Sequence, residues 1–408
     1  MTAALLAAIG VAALVLPPIL PILAALAVLA AAAVDALFAR RPVSVARRVP
    51  ELLSRGVPED YEARGDAGAD LELRQPTPPD VRLERNRALG ELETTIVAER
   101  RGRHLLAPVA TRRRGPLRLA TRTQLATGTH ELLVYPDLPA ARRVALAARY
   151  SRYRDPGSRG RGPLGLGTEF EKVREYEPDD DIRQVNWRAT ARLGRPMSND
   201  FRLEEDRDLI CVVDSGRLMA APIGNVTRLD AALDALAAVA AVADELRDRL
   251  GVLAFDSEIR KRLSPVRQGG AHAVRELFDL EPSSAQSDFR RAFHALESEK
   301  RAFVLLFTDL LEETATRPLL EAIPVLARKH AVAVASIVDP GLAEPLRTEP
   351  RSNADVARQA VALEVLGARR RAGVAIASVG AQVVEAPAEH LGMACVRAYL
   401  SAKARARL

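Results

Sequence analysis

Between Ala3 and Ala39 the chain carries one ionisable side chain, Asp35, in a run of Ala, Leu, Val and Ile. As one straight helix that run would extend ~55 Å, well past the ~30 Å hydrocarbon layer of a bilayer. Pro17, Pro18 and Pro21 fall near its middle, where proline removes ladder hydrogen bonds and breaks a helix. Two spans, Ala3–Leu16 and Ile19–Phe38, folded as a transmembrane helical hairpin, account for the pattern. The first would be only ~21 Å long and would need local thinning or a re-entrant path. A cleaved signal peptide fits less well, because no Lys or Arg precedes the run and the run is too long. Arg40, Arg41, Arg47 and Arg48 follow at once. Such a cluster places the bulk of the chain on the cytoplasmic side of the plasma (inner) membrane.

Composition excludes several function classes. Lys+Arg 59 against Asp+Glu 53 leaves a net charge of only +6, and 4% of the residues are aromatic. A nucleic-acid platform needs a basic stripe with stacking aromatics, so nucleic acid is not expected as a partner. Two cysteines, Cys211 and Cys395, exclude a disulfide framework and a four-Cys zinc site. The six histidines show no metalloprotease spacing. Gly162, Gly165 and Gly167 read G-x-x-G-x-G, which is not a dinucleotide fingerprint, and no phosphate-binding GxxxxGK[ST] occurs. Nucleotide hydrolysis is therefore not expected of this chain, and no cofactor is implied.

Beyond the apolar run (residues 1–40), three further segments are legible. Residues 41–140 hold short alternating runs: Leu71-Glu72-Leu73, Val81–Leu83, Glu91–Val97, Leu117–Thr123 and, last, His130–Tyr135. Period-2 runs separated by Pro- and Gly-containing turns predict a small β-sandwich-like region. Arg112-Arg113-Arg114 lies in it as a solvated turn or a phosphate contact. Residues 141–200 begin with a linker rich in Arg, Ser and Gly, from Ala141 to Arg161. From 201 to 408 the pattern becomes strand–helix alternation. Leu209–Val213 is a continuous apolar run, as in a strand buried on both faces. Val252–Phe255, Phe303–Phe307, Val332–Val338 and Val374–Val379 are further strands. Leu229, Leu233, Leu236, Val239, Ala243, Leu246 and Leu250 recur at helical spacing. Helices are also expected over Ala271–Leu280, Phe289–Leu296, Pro318–Arg328, Ala354–Arg370 and Pro387–Ala404. A mainly parallel, Rossmann-type sheet covered on both faces follows.

Two of these strands end in acids, Val213-Asp214-Ser215-Gly216-Arg217-Leu218 and Phe307-Thr308-Asp309. Carboxylates at the carboxyl ends of neighbouring strands are well placed for a divalent cation. The arrangement resembles the von Willebrand factor A fold, whose adhesion site holds Mg²⁺ with D-x-S-x-S, a Thr and a distal Asp. Asp214 and Asp309 match the two acids. Gly216 and Leu218 stand where the motif has serines, Ser215 is one residue off, and Ser287 or Asp288 would have to stand in for the Thr. With two hydroxyl ligands gone, the expectation is a degenerate site without metal, in which Arg217 supplies the positive charge.

The longest motif runs from Phe170 to Arg192. Asp179–Asp181 supply N-cap candidates and favourable charge at the start of a helix. Ile182, Val185 and Ala189 form its apolar stripe, and Trp187, the one tryptophan, is expected to be buried against the α/β domain. Some of Arg183, Arg188 and Arg192 would then pair with Glu171, Glu175 or the Asp179–Asp181 cluster. The stretch resembles the signature of the domain-of-unknown-function 58 family, matched by Arg174, Tyr176, Asp180, Arg183, Asn186, Trp187, Ala191 and Arg192, with Asp179 where the family has Gly. That resemblance implies a membrane-anchored, non-catalytic partner or adaptor of a MoxR-type AAA+ ATPase, acting in protein maturation or remodelling. The alternative is a hydrolase with Ser215 as nucleophile. It needs a base from His272, His294 or His330, and no G-x-S-x-G surrounds Ser215.

Overall fold

The computed structural model describes residues 4, 7, 9–10, 17, 19–66, 70–151, 169–177, 185–202, 208–310 and 313–404. The chain divides into two compact units, Met1–Tyr135 and Pro136–Leu408.

The first unit opens with one apolar helix, α1 (Ile19–Ala39), long and apolar enough to cross a membrane. The expected first span, Ala3–Leu16, lies almost entirely outside the described residues; among the described residues there is one long apolar helix. Eleven short strands follow: β1 (Val45–Arg48), β2 (Leu53–Ser54), β3 (Glu59–Gly65), β4 (Leu71–Arg74), β5 (Val81–Leu83), β6 (Arg87–Leu89), β7 (Glu91–Ala98), β8 (Gly102–Leu106), β9 (Ala110–Arg114), β10 (Thr121–Leu125) and β11 (His130–Tyr135). They form two four-stranded antiparallel sheets, β1-β3-β7-β5 and β10-β9-β4-β6, and a three-stranded sheet, β2-β11-β8. Alternation places every second side chain inward. Leu71 and Leu73 on β4, Leu92 and Ile96 on β7 and Leu132 and Val134 on β11 meet in one core. Two polar side chains buried there bond one another and the backbone: Tyr61 donates to Gln75 Oε1 at 2.7 Å, and Gln75 Nε2 donates to the Ala107 carbonyl at 2.9 Å.

The second unit begins with α2 (Leu138–Ser151), where a linker was expected over Ala141–Arg161; Arg, Ala and Leu are good helix formers, and Ala141, Ala145 and Ala148 are buried at helical spacing. Residues 152–168, with the three glycines, lie outside the described residues. Next come β12 (Glu169–Glu175), α3 (Trp187–Leu193) and β13 (Met197–Arg202), the two strands pairing antiparallel. The rest is β14 (Asp208–Asp214), β15 (Pro222–Ile223), β16 (Val226–Thr227), α4 (Arg228–Glu245), β17 (Arg249–Phe255), β18 (Ile259–Arg267), α5 (Gly270–Leu277), α6 (Phe289–His294), β19 (Phe303–Phe307), α7 (Glu313–Ala327), β20 (Ala331–Ile337), α8 (Asn353–Ser378), β21 (Gln382–Ala386) and α9 (Ala388–Ala404). The six-stranded sheet has the order β18-β17-β14-β19-β20-β21 and is parallel except for the β17–β18 hairpin at its edge.

Every residue of β14 is buried, the mark of a central strand covered on both faces. Ile210 and Val212 join Leu253, Val304, Leu306 and Val334 on one face, packed by Phe289 and Phe293 of α6, Ile323 of α7 and Ile376 of α8. Towards the opposite face lie α4 and α9. Because α2 and α9 both pack on α4, that helix is apolar and buried nearly all round.

Further readings in this unit change. Leu250 belongs to β17, since α4 ends at Glu245. Val374–Val379 is the end of α8 and not a strand: Arg369, Ala372 and Ile376 are buried at helical spacing, and Gly380 turns the chain at φ 96° into the true edge strand β21. Ile259–Arg267 is a strand that carries little apolar signal, because an edge strand exposes alternate residues. In the first unit, Leu117–Ala120 is a turn, with β10 starting at Thr121.

Candidate functional site

Parallel pairing sets the site. Val213 lies opposite Phe307 across β14 and β19, and Asp214 lies opposite Phe255 across β14 and β17. The three chains leave the sheet side by side, and each emerges with a buried acid: Asp214, Asp256 and Asp309.

Asp214 accepts three hydrogen bonds. Its Oδ1 accepts from Gly216 N at 2.8 Å and Ser287 Oγ at 2.5 Å, and its Oδ2 accepts from Thr308 Oγ1 at 2.6 Å. Burial pushes this carboxyl above its ordinary range; the Ser287, Thr308 and Gly216 hydrogen bonds pull it back only in part, and the Asp256 charge adds to the rise. Asp309 is different. Its Oδ1 accepts from Arg228 Nη1 at 2.9 Å, Arg369 Nη1 at 3.4 Å and Leu310 N at 2.8 Å. Its Oδ2 is buried without a hydrogen-bond donor. Arg228 is the first residue of α4, held by the Thr227–Asp230 capping box. Arg369 projects from α8 and ties the cluster to the sheet through Ser336 Oγ at 3.0 Å, the Ile337 carbonyl at 2.9 Å and Glu385 at 3.1 Å. Asp256 is held by Glu258 N at 2.9 Å and Arg260 Nε at 2.6 Å.

These residues do not fit an octahedral Mg²⁺, which requires oxygen ligands with free lone pairs around one centre. Asp214 already accepts three hydrogen bonds, and two guanidinium groups share Oδ1 of the buried Asp309, where their charge repels a cation. Gly216 cannot be replaced by the serine of the adhesion motif without rearrangement, because a Cβ there would collide with Ser287 Oγ and come 3.0 Å from the Ala285 carbonyl. Ser287, proposed from sequence as the hydroxyl stand-in, is indeed hydrogen-bonded to Asp214, whereas Asp288 caps α6 through Arg291 N at 3.0 Å. The cations beside Asp309 are Arg228 and Arg369; Arg217, expected there, sits on an exposed turn.

Ser215 has no nucleophile's setting. It is fully buried, and its Oγ donates to the Phe255 carbonyl at 2.9 Å. His330 precedes β20, at the opposite end of the sheet from Ser215, and His272 lies on α5 just after β18 returns to that same far end. His294 is exposed and pairs with Glu297 at 3.0 Å.

The signature motif builds a surface element. Asn186 is its centre: Oδ1 accepts from Ala189 N at 2.9 Å to cap α3, Nδ2 donates to Asn199 Oδ1 at 2.8 Å, and its backbone N donates to the Met197 carbonyl. Gly194, at φ 68°, closes the other end by donating to the Thr190 carbonyl. Asn186 is thus the N-cap in place of Asp179–Asp181, which with Ile182 and Arg183 lie outside the described residues. Trp187 is 69% exposed, contrary to the expected burial; the half-buried residues of α3 are Ala189 and Thr190 instead. Arg188, Arg192 and Leu193 are exposed beside it. Glu175 pairs with Arg195 at 2.7 Å, and Arg174 lies 3.9 Å from Glu177.

Residues 172–346 match the family model for a protein of unknown function, DUF58. The matched segment holds Trp187, Asp214, Ser287, Thr308, Asp309 and Arg228, but ends before Arg369. An uncharacterized protein of Mycobacterium tuberculosis strain H37Rv is 26% identical over 183 residues, 43% of this chain and 56% of its own length. An uncharacterized protein of Mycobacterium bovis matches to the same extent. The chain thus spans about half the length of the curated relatives it matches.

Proposed function

We propose that this chain is a membrane-anchored, non-catalytic protein-interaction module with a von Willebrand A-like domain, the partner or adaptor of a MoxR-type AAA+ ATPase in protein maturation or remodelling. The observation that carries the reading is Trp187. A tryptophan exposed on a helix fixed at both ends, with arginines beside it, is the composition and rigidity of an interaction hot spot. The strand order, with acids at the carboxyl ends of β14 and β19, supports the von Willebrand A-like assignment. The ATPase partner rests on the family resemblance. The buried Ser215, without a base near it, favours an interaction module over a hydrolase.

The anchor reading is supported by Asp35. Its carboxylate is bound by the turn between β9 and β10, so α1 is built into the folded unit, as a retained anchor is and a cleaved leader is not. The arginines after α1 support a cytoplasmic location for both units. A periplasm-dependent reporter fused after Leu408 should stay silent, and activity there would overturn the topology. For the interaction, the full chain in mild detergent is mixed with a purified MoxR-type ATPase, with ATP or ADP. Nucleotide-dependent binding lost on Trp187→Ala, with an unchanged unfolding curve, is the expected result. Binding that ignores the substitution would move the contact elsewhere, and ester hydrolysis sensitive to Ser215→Ala would restore the enzyme reading.

A further inference from the structure

Asp35 is the one charged residue of α1, and it is fully buried on a helix that is otherwise largely exposed. Its Oδ1 accepts from Leu117 N, and its Oδ2 from Leu119 N and Ala120 N, each at 2.7 Å. All three donors come from the turn joining β9 to β10. The turn is shaped for this carboxylate: Arg118 adopts a positive φ of 55°, and a Cβ on Gly115 would strike the Asp35 side chain. Asp35 precedes Arg40 by five residues, about 7 Å along the helix axis. The tip of the turn is therefore clamped alongside the last turns of α1, closer to the apolar end than Arg40 is.

The surface so positioned has a definite chemistry. The tip presents Pro116 and Leu117, the latter 50% exposed. Around it stand Arg113, Arg114, Arg118 and Arg122, with Arg40 and Arg41 on the helix end. Arg113 and Arg122 are direct cross-strand partners, a like-charge arrangement that destabilises a sheet unless an anion lies between them. Acids are scarce here: Arg112 is 3.9 Å from Glu72, while among the described residues Arg113, Arg114, Arg118 and Arg122 have no carboxylate at ion-pair distance.

We propose that the β9–β10 hairpin is a binding site for anionic phospholipid headgroups, with Leu117 entering the interface and the arginines holding lipid phosphate. Guanidinium groups bind phosphate oxygens bidentately, and an apolar tip backed by cations is how peripheral elements seat in an anionic leaflet. Continuity with α1 selects the occupant, because the Asp35 clamp fixes the hairpin at the height where headgroups begin. The inference rests on α1 being a membrane span.

The full chain is reconstituted in nanodiscs of phosphatidylcholine alone and of phosphatidylcholine with phosphatidylglycerol, and thermal unfolding is followed in both. The midpoint should rise with phosphatidylglycerol, and each arginine replaced should weaken apparent lipid affinity by roughly fivefold. Arg113→Gln/Arg122→Gln should remove the lipid-dependent rise, yet in neutral discs be at least as stable as the wild type, since a like-charge pair is gone. Asp35→Asn should weaken the response with all arginines in place. An equal rise from inorganic phosphate in neutral discs would make this a free-anion site and overturn the lipid assignment, as would a midpoint indifferent to phosphatidylglycerol. Alkaline extraction of native membranes separates the two failures: release of the chain refutes the anchor, whereas retention without lipid dependence refutes this site alone.

Discussion

The Asp309 cluster makes a prediction that distinguishes an arginine-locked site from a metal site. Replacing Asp309 by Ala leaves Arg228 and Arg369 facing one another, each about 4% exposed at the side chain. At a charge separation of about 4 Å and an effective dielectric of about 20, each guanidinium–carboxylate pair attracts by ~4 kcal/mol. Burying the ions costs several kcal/mol each, so the intact triad contributes little net stability. Removing one member is another matter, because the desolvation remains while the attraction is lost; such a deletion costs ~3–5 kcal/mol. For a unit of this size that corresponds to a fall in the unfolding midpoint on the order of 10 °C. The assay is thermal and urea unfolding of the full chain in detergent, with and without millimolar Mg²⁺. Asp309→Ala should be strongly destabilised and Mg²⁺ without effect on either protein. The triple replacement Asp309→Leu/Arg228→Met/Arg369→Met should recover most of the loss, because it removes the buried charges together. A loss below about 1 kcal/mol for Asp309→Ala, or a wild-type midpoint raised by Mg²⁺ and sensitive to Asp214→Ala, would refute the arginine lock.

Asp214 should show itself in the pH dependence of stability. Its carboxyl is raised above the unfolded value by burial, so the folded state holds its proton more tightly; the resulting stabilisation is complete below the unfolded value and lost as pH rises through the folded one. Wild type should therefore gain stability relative to Asp214→Asn on acidification from neutral pH, and a constant difference in urea midpoints would disprove it. Trp187→Ala should change stability by less than about 0.5 kcal/mol, as at other exposed positions, and a loss of several kcal/mol in urea unfolding would show that the indole is packed after all. Asn186→Ala should cost ~1 kcal/mol through the lost cap of α3, and Asn186→Asp, which keeps the cap but loses the Nδ2 bond to Asn199, should fall between wild type and Asn186→Ala in the same denaturation experiment.

Much of the α/β unit is legible because its strands are apolar on both faces and its helices are long. Phe303–Phe307 needs no adjustment, and Leu209–Val213 grows by one residue at each end. The misreadings share a cause: a short apolar run does not reveal its period. Val374–Val379 contains Val, Ile and Ala in an order that suits a buried strand, yet its neighbours Arg369 and Ala372 already commit the backbone to α8. Leu117–Thr123 alternates as a strand would, but its first half is recruited by Asp35, a residue 82 positions away from Leu117. Long-range hydrogen bonding of that kind leaves no local trace.

The candidate site was half visible for the same reason. Asp214 and Asp309 stand out because each follows an apolar strand, and the rule extends to Asp256, which ends β17 in the same way and was overlooked. Thr308 was within reach of the same reasoning, since it lies between Phe307 and Asp309 on a strand end whose neighbour carries an acid. Arg228 and Arg369 were not legible. Arginine is common throughout the chain, and only the packing of α4 and α8 on the sheet singles out these two as buried. Their positions also bear on how the site differs from the adhesion motif that the sequence resembles. A guanidinium on Asp309 supplies the positive charge a cation would bring, and once Ser287 Oγ is bonded to Asp214 the space beside residue 216 is filled, which leaves glycine as the residue that fits. Relative to the adhesion motif that the sequence resembles, Gly216 and the two arginines go together: charge fixed in the fold stands beside Asp309. A site that cannot lose its cation cannot be switched by it. On the function proposed above, a regulated contact would lie elsewhere on the unit, and among the described residues the exposed Trp187 helix offers a rigid surface for it.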